Sequence, residues 1–346
     1  MTGQPVALVL RALVLGDLLV AVPALRALRR ALPRHRLVLA TDPSLTPLVR
    51  LTGAVDDVFP AAGLGQLRWT GSPPDVAVNM HGSGPESHRL LAGVSPGRLV
   101  AFSCEAAGIS GPRWDDTEHE VVRWCRLVET AFGEPAPPSD LRLTVPDIDS
   151  PKRDAVVVHP GAAYPSRRWP APRFAEVAAR CRARGDQVVV TGSASERSLA
   201  ESVCRAAGLP AEACLAGRTS VLELAVLVAH ARLVVSGDTG VAHLATAYGR
   251  PSVVLFGPTS PALWGPLLGI GPHVVLWRGE AGSLRPGDPF GSRVDPTLAA
   301  ITVDDVLSAM RQLPAVPPAR GTIATSRSGR LPATRPVPSR GAPGPA

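Results

Sequence analysis

Along both halves of the chain, short unbroken runs of Val, Leu and Ala alternate with longer stretches in which apolar residues return every three or four positions. Unbroken runs suit strands covered on both faces, and the longer period suits helices laid across them. The pattern therefore predicts βαβ units, an α/β fold and parallel sheets. In the first half it places strands at 6–10, 36–40, 75–79 and 98–102, with helices over 18–31 and 118–132. Pro23 falls inside the first of these helices, where it is expected to remove a backbone bond and bend the axis. In the second half strands are predicted at 155–158, 187–191, 233–236 and 252–256. Helices are predicted at 173–184, 195–207, 221–229, 241–248 and 303–313.

Between the halves, residues 135–152 are rich in Pro and lack periodicity, as an inter-domain linker would. The expected organisation is a first doubly wound domain over residues 1–145, a second over 153–313, and a tail over 314–346. The tail is Pro, Arg, Ser and Gly, with little apolar content to offset ordering entropy, and is expected to be disordered. A length of 346 residues agrees with two domains.

Composition narrows the function classes. The net charge of +7 invites a nucleic-acid reading, but a single lysine, Lys152, stands among many arginines, and no aromatic-flanked basic stripe occurs. That skew reads as coding bias. Cys104, Cys125, Cys181, Cys204 and Cys214 are odd in number and widely spaced, as reduced core thiols would be. No apolar stretch reaches the ~20 residues of a membrane span. The apolar start is interrupted by Arg11, Gly16 and Asp17 and is read as strand, turn and helix rather than a signal peptide. A cytoplasmic protein is expected, with no transmembrane segment and no nucleic-acid partner.

Three segments carry candidate chemistry. In SGDTGVAHLATAYGRPSVVLFGPTSP, residues 236–261, a strand ends at Asp238, Thr239 and Gly240 and a helix begins. The amides of Thr239, Gly240 and Val241 lack intrahelical acceptors and, with the helix dipole, make an anion site. His243 lies one turn on, within reach of the same anion or an attached sugar. The plainer alternative is that Asp238 is an N-cap and His243 a packing residue. In VVVHPGAAYPSRRWP, residues 156–170, Arg167 and Arg168 follow a strand end and can fork onto a diphosphate, unless they are a solvated pair. In VALVLRALVLGDLLVAVPALRALRR, residues 6–30, Gly16 permits a tight turn and Asp17 stands at the mouth of a helix. There it is either a cap or a general base. No HExxH and no paired Cys/His set points to zinc, and no metal is expected.

These three segments, in this order, resemble glycosyltransferase family 9, the heptosyltransferases that add ADP-activated heptose to lipopolysaccharide core. The resemblance covers residues 6–313 and is most specific in GDTGVAHLA and RALVLGDLLVAVPALRAL, with support from SRRWP and VVVTGSASE. It implies a GT-B fold: two Rossmann-like domains with acceptor bound mainly by the first, donor by the second, and a cleft between them. It further implies Asp17 as general base and Arg167, where the family usually has Lys, at the donor phosphate. Asp238, Thr239, Gly240 and His243, with Arg168, would hold diphosphate and sugar. Glu196 in GSASE is read as a ribose contact or an exposed first-turn charge. His81 follows the strand at 75–79, where family members carry a different sequence, and with Gly16 is assigned to the acceptor side.

The expectation is thus a metal-independent, inverting glycosyltransferase. It would use a nucleotide-diphosphate sugar such as ADP-heptose, no cofactor, and a glycan or glycolipid acceptor, with transient contact to the inner membrane surface. A nucleotide-sugar epimerase of similar form and a non-catalytic nucleotide-sugar binding protein are the alternatives.

Overall fold

The structure is a computed structural model that describes residues 3–267 and 269–315. Apart from Pro314 and Ala315, the tail expected to be disordered lies outside the described residues. The first half runs β1 (Val6–Leu10), α1 (Leu15–Val20), α2 (Val22–Ala31), β2 (Arg36–Thr41), α3 (Thr46–Leu51), β3 (Asp57–Pro60), β4 (Val76–Asn79), α4 (Glu86–Ala92), β5 (Arg98–Val100) and α5 (Glu120–Phe132). The second runs β6 (Val156–His159), α6 (Ala171–Ala183), β7 (Val188–Val190), α7 (Arg197–Ala206), α8 (Val221–Ala229), β8 (Leu233–Gly237) and α9 (Gly240–Tyr248). It continues through β9 (Ser252–Leu255), α10 (Pro261–Trp264), β10 (His273–Leu276), α11 (Pro296–Ala299) and α12 (Val303–Gln312).

Each half holds one parallel five-stranded sheet, ordered β3-β2-β1-β4-β5 and β10-β9-β8-β6-β7. The predicted α/β architecture is therefore present. The central strands are buried at nearly every position, which is why they read as unbroken apolar runs.

Two local expectations need correction. The helix predicted over 18–31 is two helices that meet at Ala21, and Pro23 occupies the first turn of the second. There its missing N–H has no intrahelical acceptor to lose, so the proline starts a helix instead of bending one. The Pro-rich stretch at 135–152 is also more than a tether. Leu141 and Leu143 are buried, Leu143 N–H donates to Ala247 O at 3.2 Å, and Arg26 donates to Arg142 O at 2.7 Å.

The two halves also share apolar packing. Leu18, Leu19 and Leu25 of the first half belong to the same buried cluster as Ala225, Val241 and Leu244 of the second. Each Leu or Val among them contributes about 1.5–3 kcal/mol when fully buried.

Candidate active site

In an open parallel sheet, ligands collect at the carboxyl ends of the strands, where neighbouring connections leave in opposite directions. In the first sheet that point lies between β1 and β4, and in the second between β6 and β8. The loops leaving these four strands, and the helix starts that follow them, carry nearly all of the singled-out residues: Gly16 and Asp17 after β1, His81 after β4, Arg167 and Arg168 after β6, Asp238 to His243 after β8.

The two points face each other, because α1 and α9 touch where they begin. A Cβ on Gly240 would lie 2.8 Å from Leu15 Cγ and 2.9 Å from Leu15 Cβ, and one on Gly16 would lie 3.0 Å from His243 Cδ2. Glycine at both positions is what lets the helix starts come this close. Gly240→Ala is accordingly expected to force Leu15 aside at a cost of about 1–3 kcal/mol. Thermal unfolding reads this as a lower midpoint, and an unchanged midpoint would mean that the contact gives way freely.

On the first-domain side Asp17 occupies the third position of α1. The N-cap of that helix is Val14, whose own side chain makes no capping bond, and its backbone N–H is among the groups that hold the Asp17 carboxylate. Arg11, itself fully buried, spans its surroundings. Its Nε donates to Asp17 O at 2.6 Å, Nη1 to Met80 O, and Nη2 faces Asp17 Oδ1 at 3.5 Å and Glu120 Oε1 at 3.3 Å. Burial pushes the Asp17 carboxyl up from its ordinary value. Arg11 opposes that rise, Glu120 adds to it, and backbone hydrogen bonds oppose it. His81 is half-buried with its Nδ1 unpartnered, and burial plus the Arg11 charge hold its pKa at about 4.

On the second-domain side Thr239 is the N-cap of α9 but makes no side-chain capping bond, and its Oγ1 is buried without a partner. The first intrahelical donors are Ala242 N and His243 N, both to Thr239 O. The amides of Thr239, Gly240 and Val241 precede them at the positive end of the helix. Asp238 is not the cap either. Its Oδ2 accepts from Arg167 Nη2 at 2.9 Å, and the same nitrogen donates to Asp238 O. Arg167 is thereby fixed beside these amides, with 27% of its side chain exposed. His243 has its pKa lowered to about 4, chiefly by burial, so its ring is neutral near pH 7 and offers a hydrogen bond rather than a charge.

Further along the edge, Arg168 Nε donates to Ala162 O at 2.8 Å. Glu196 closes a capping box with Ser193, whose N–H and hydroxyl both donate to Oε2 at 2.8 Å. The first-turn reading of Glu196 is therefore real. Burial raises its pKa, but the Ser193 amide, His159, the Ser193 hydroxyl and Arg168 outweigh that, and the net shift is downward. No hydrogen bond engages Oε1 among the described residues.

Sequence reasoning missed Arg11 and Glu120 as members of the site. A charge inside the run ALVLRALVLG was the available signal for Arg11, and it served only to argue against a signal peptide. Glu120, at the start of α5, gave none, because its place beside β1 is set by tertiary packing. Among the described residues no three His, Cys, Asp or Glu side chains group as metal ligands, and no helix is long and apolar enough to cross a membrane.

The sequence model of glycosyltransferase family 9 (heptosyltransferase) matches residues 112–281. Lipooligosaccharide heptosyltransferase 2 of Haemophilus influenzae is 35% identical over 160 residues, covering 44% of this chain and 45% of that protein. Lipopolysaccharide heptosyltransferase 1 of Pseudomonas aeruginosa is 37% identical over 154 residues, 43% and 42% of the two chains. The matched region is thus under half the length of these relatives. The solved E. coli ADP-heptose lps heptosyltransferase II is similar in fold, with a TM-score of 0.67 at 22% identity over 88% of this chain and 97% of that one. A glycosyl transferase family 9 structure from Veillonella parvula gives 0.70 at 18% identity, over 90% and 98%. These neighbours share the GT-B arrangement of two facing α/β domains, and the stretch that matches glycosyltransferase family 9, just under half of this chain, includes the loops after β6 and β8.

Proposed function

We propose that the chain transfers a sugar from a nucleotide-diphosphate donor to a glycan or glycolipid acceptor, with inversion at the anomeric carbon and no metal ion. The observation that carries this reading is the contact of two helix starts at Gly16 and Gly240, one helix bearing Asp17 in its first turn and the other opening on amides without intrahelical acceptors. In the reaction, Asp17 takes the proton of an acceptor hydroxyl while that oxygen bonds to the anomeric carbon. The bond from that carbon to the diphosphate oxygen breaks, and the electron pair leaves with the nucleotide diphosphate. Arg167 and the amides of Thr239, Gly240 and Val241 neutralise the charge that develops there. Fixed guanidinium and amide donors supply in this site what a divalent ion supplies elsewhere, which favours a metal-free mechanism.

The named relatives act on lipooligosaccharide or lipopolysaccharide, and one neighbour's name carries ADP-heptose. ADP-heptose and a lipopolysaccharide-core-like acceptor are therefore the first pair to try. A cytoplasmic location with transient contact at the inner membrane surface follows from such an acceptor. Arg168, Glu196 and His243 would line the donor's nucleoside and sugar, and Gly16 and His81 the acceptor side.

Thermal unfolding in the presence of ADP, UDP, GDP and their sugars tests the donor half. A donor at a hundred times its dissociation constant adds about 2.7 kcal/mol and raises the midpoint in a concentration-dependent way. If millimolar concentrations of all these compounds leave the midpoint unmoved, the nucleotide-sugar reading fails.

A further inference from the structure

Glu120 is a buried carboxylate that the proposed chemistry leaves without a role. It sits at the first position of α5, 6% exposed, and each of its oxygens is engaged. Oε1 accepts from Trp124 Nε1 at 2.7 Å and faces Arg11 Nη2 at 3.3 Å, while Oε2 accepts from Arg123 Nη1. Arg11 is equally constrained: two of its nitrogens are tied to backbone oxygens, the third lies between Glu120 and Asp17, and its plane lies 4.7 Å from the centre of the Trp124 ring. One guanidinium nitrogen is thus shared by two carboxylates, of which Asp17 is the more exposed, at 17% against 7%.

We propose that Glu120 is a positioning residue for the Asp17 base: it holds the Arg11 guanidinium partly off Asp17, so that the base has a shared cation rather than one of its own. The inference rests on Asp17 being the base. A carboxylate with a full ion pair at close range is a poor proton acceptor, and one buried with no cation at all is protonated. Sharing Arg11 between two carboxylates sets Asp17 between these limits. The other histidines around the site are neutral near pH 7, and Arg123 and Arg167 are each paired with a carboxylate. His81, beside Arg11, has its pKa lowered to about 4. His119, at the cap of α5, is lowered by burial and donates its Nε2 hydrogen to Gly265 O at 2.9 Å. Across the cleft His243 is held at about 4, and Arg167 pairs with Asp238. Arg123 is bound to Glu120 and to Asp115 O and Glu118 O.

The test is a titration of Asp17 in the full chain carrying aspartate labelled with carbon-13 at its side-chain carboxyl, with the Asp17 signal identified by its loss in Asp17→Asn. In Glu120→Gln the midpoint should fall by about one pH unit or more, because Arg11 then serves Asp17 alone. In Arg11→Gln it should rise by a similar amount. In Glu120→Asp, which keeps the charge, it should stay near the native value. An unchanged midpoint in Glu120→Gln overturns the proposal. So does a fall in Arg11→Gln, which is what a merely loosened and solvated site would give. If Glu120→Gln does not fold, the direction of the Arg11→Gln shift decides. None of these readouts requires transfer. Opposite shifts in a chain that transfers no sugar would leave the Glu120 and Arg11 arrangement standing and remove the base role. Transfer lost in Asp17→Asn with unmoved titrations would do the reverse.

Discussion

Asp17→Asn is expected to lower the rate of sugar transfer by about 10²–10⁴-fold while leaving donor binding close to native. The amide keeps the shape of the carboxylate but cannot accept the acceptor's proton, and the donor's phosphates are served by groups on the other domain. The fold should survive the change. Burial lifts the Asp17 pKa in the folded chain, so between that value and the ordinary carboxylate range the folded state binds more protons than the unfolded one. Stability contributed by this group therefore grows as the pH falls through that window and is lost above it. Removing its charge should not lower the unfolding midpoint at pH 7. By the same shift, native transfer should fail on acidification earlier than an exposed aspartate would make it. Native-like turnover by Asp17→Asn, or a collapse of its melting temperature, would contradict the assignment.

The second large effect is expected at Arg167. Arg167→Ala removes the guanidinium beside the anion-binding amides and leaves the Asp238 carboxylate, 11% exposed, without its partner and facing an incoming phosphate. Loss of one preorganised donor to a leaving group costs about 10²–10³-fold in turnover. Because the same contact exists in the ground state, donor affinity should weaken together with kcat. Arg167→Lys should recover part of both, since a point charge replaces the fork. Calorimetric titration of donor into Arg167→Ala with an unaltered dissociation constant would remove Arg167 from the phosphate site.

How much of this was legible in the sequence depends on what each feature rests upon. Central strands and long helices are written in local periodicity. β1 was placed at its observed bounds, and so was α8. The strands Asp57–Pro60 and His273–Leu276 escaped because they are short edge strands, half-buried or exposed at each position, and their apolar content, Val58-Phe59 and Val274-Val275-Leu276, is too short to stand out. The residues after β1, β6 and β8 were findable because strand-to-helix turns carry glycine and unpaired amides wherever they occur. What local sequence left open was the choice between cap and chemistry. Tertiary structure shows which side chains are N-caps: neither Asp17 nor Asp238 is one, whereas Glu196 closes a capping box with Ser193. Arg11 and Glu120 stayed hidden for a further reason: their meaning is in a contact between segments over a hundred positions apart, and no periodicity encodes that.

The meeting of α1 and α9 at two glycines has a mechanical corollary. Two rigid bodies pinned at a point move like the arms of shears, with wide travel at the tips and almost none at the rivet. Rocking of the two halves would open or shut the outer rim of the crevice to bulky molecules, yet hardly alter the spacing between Asp17 and the first turn of α9.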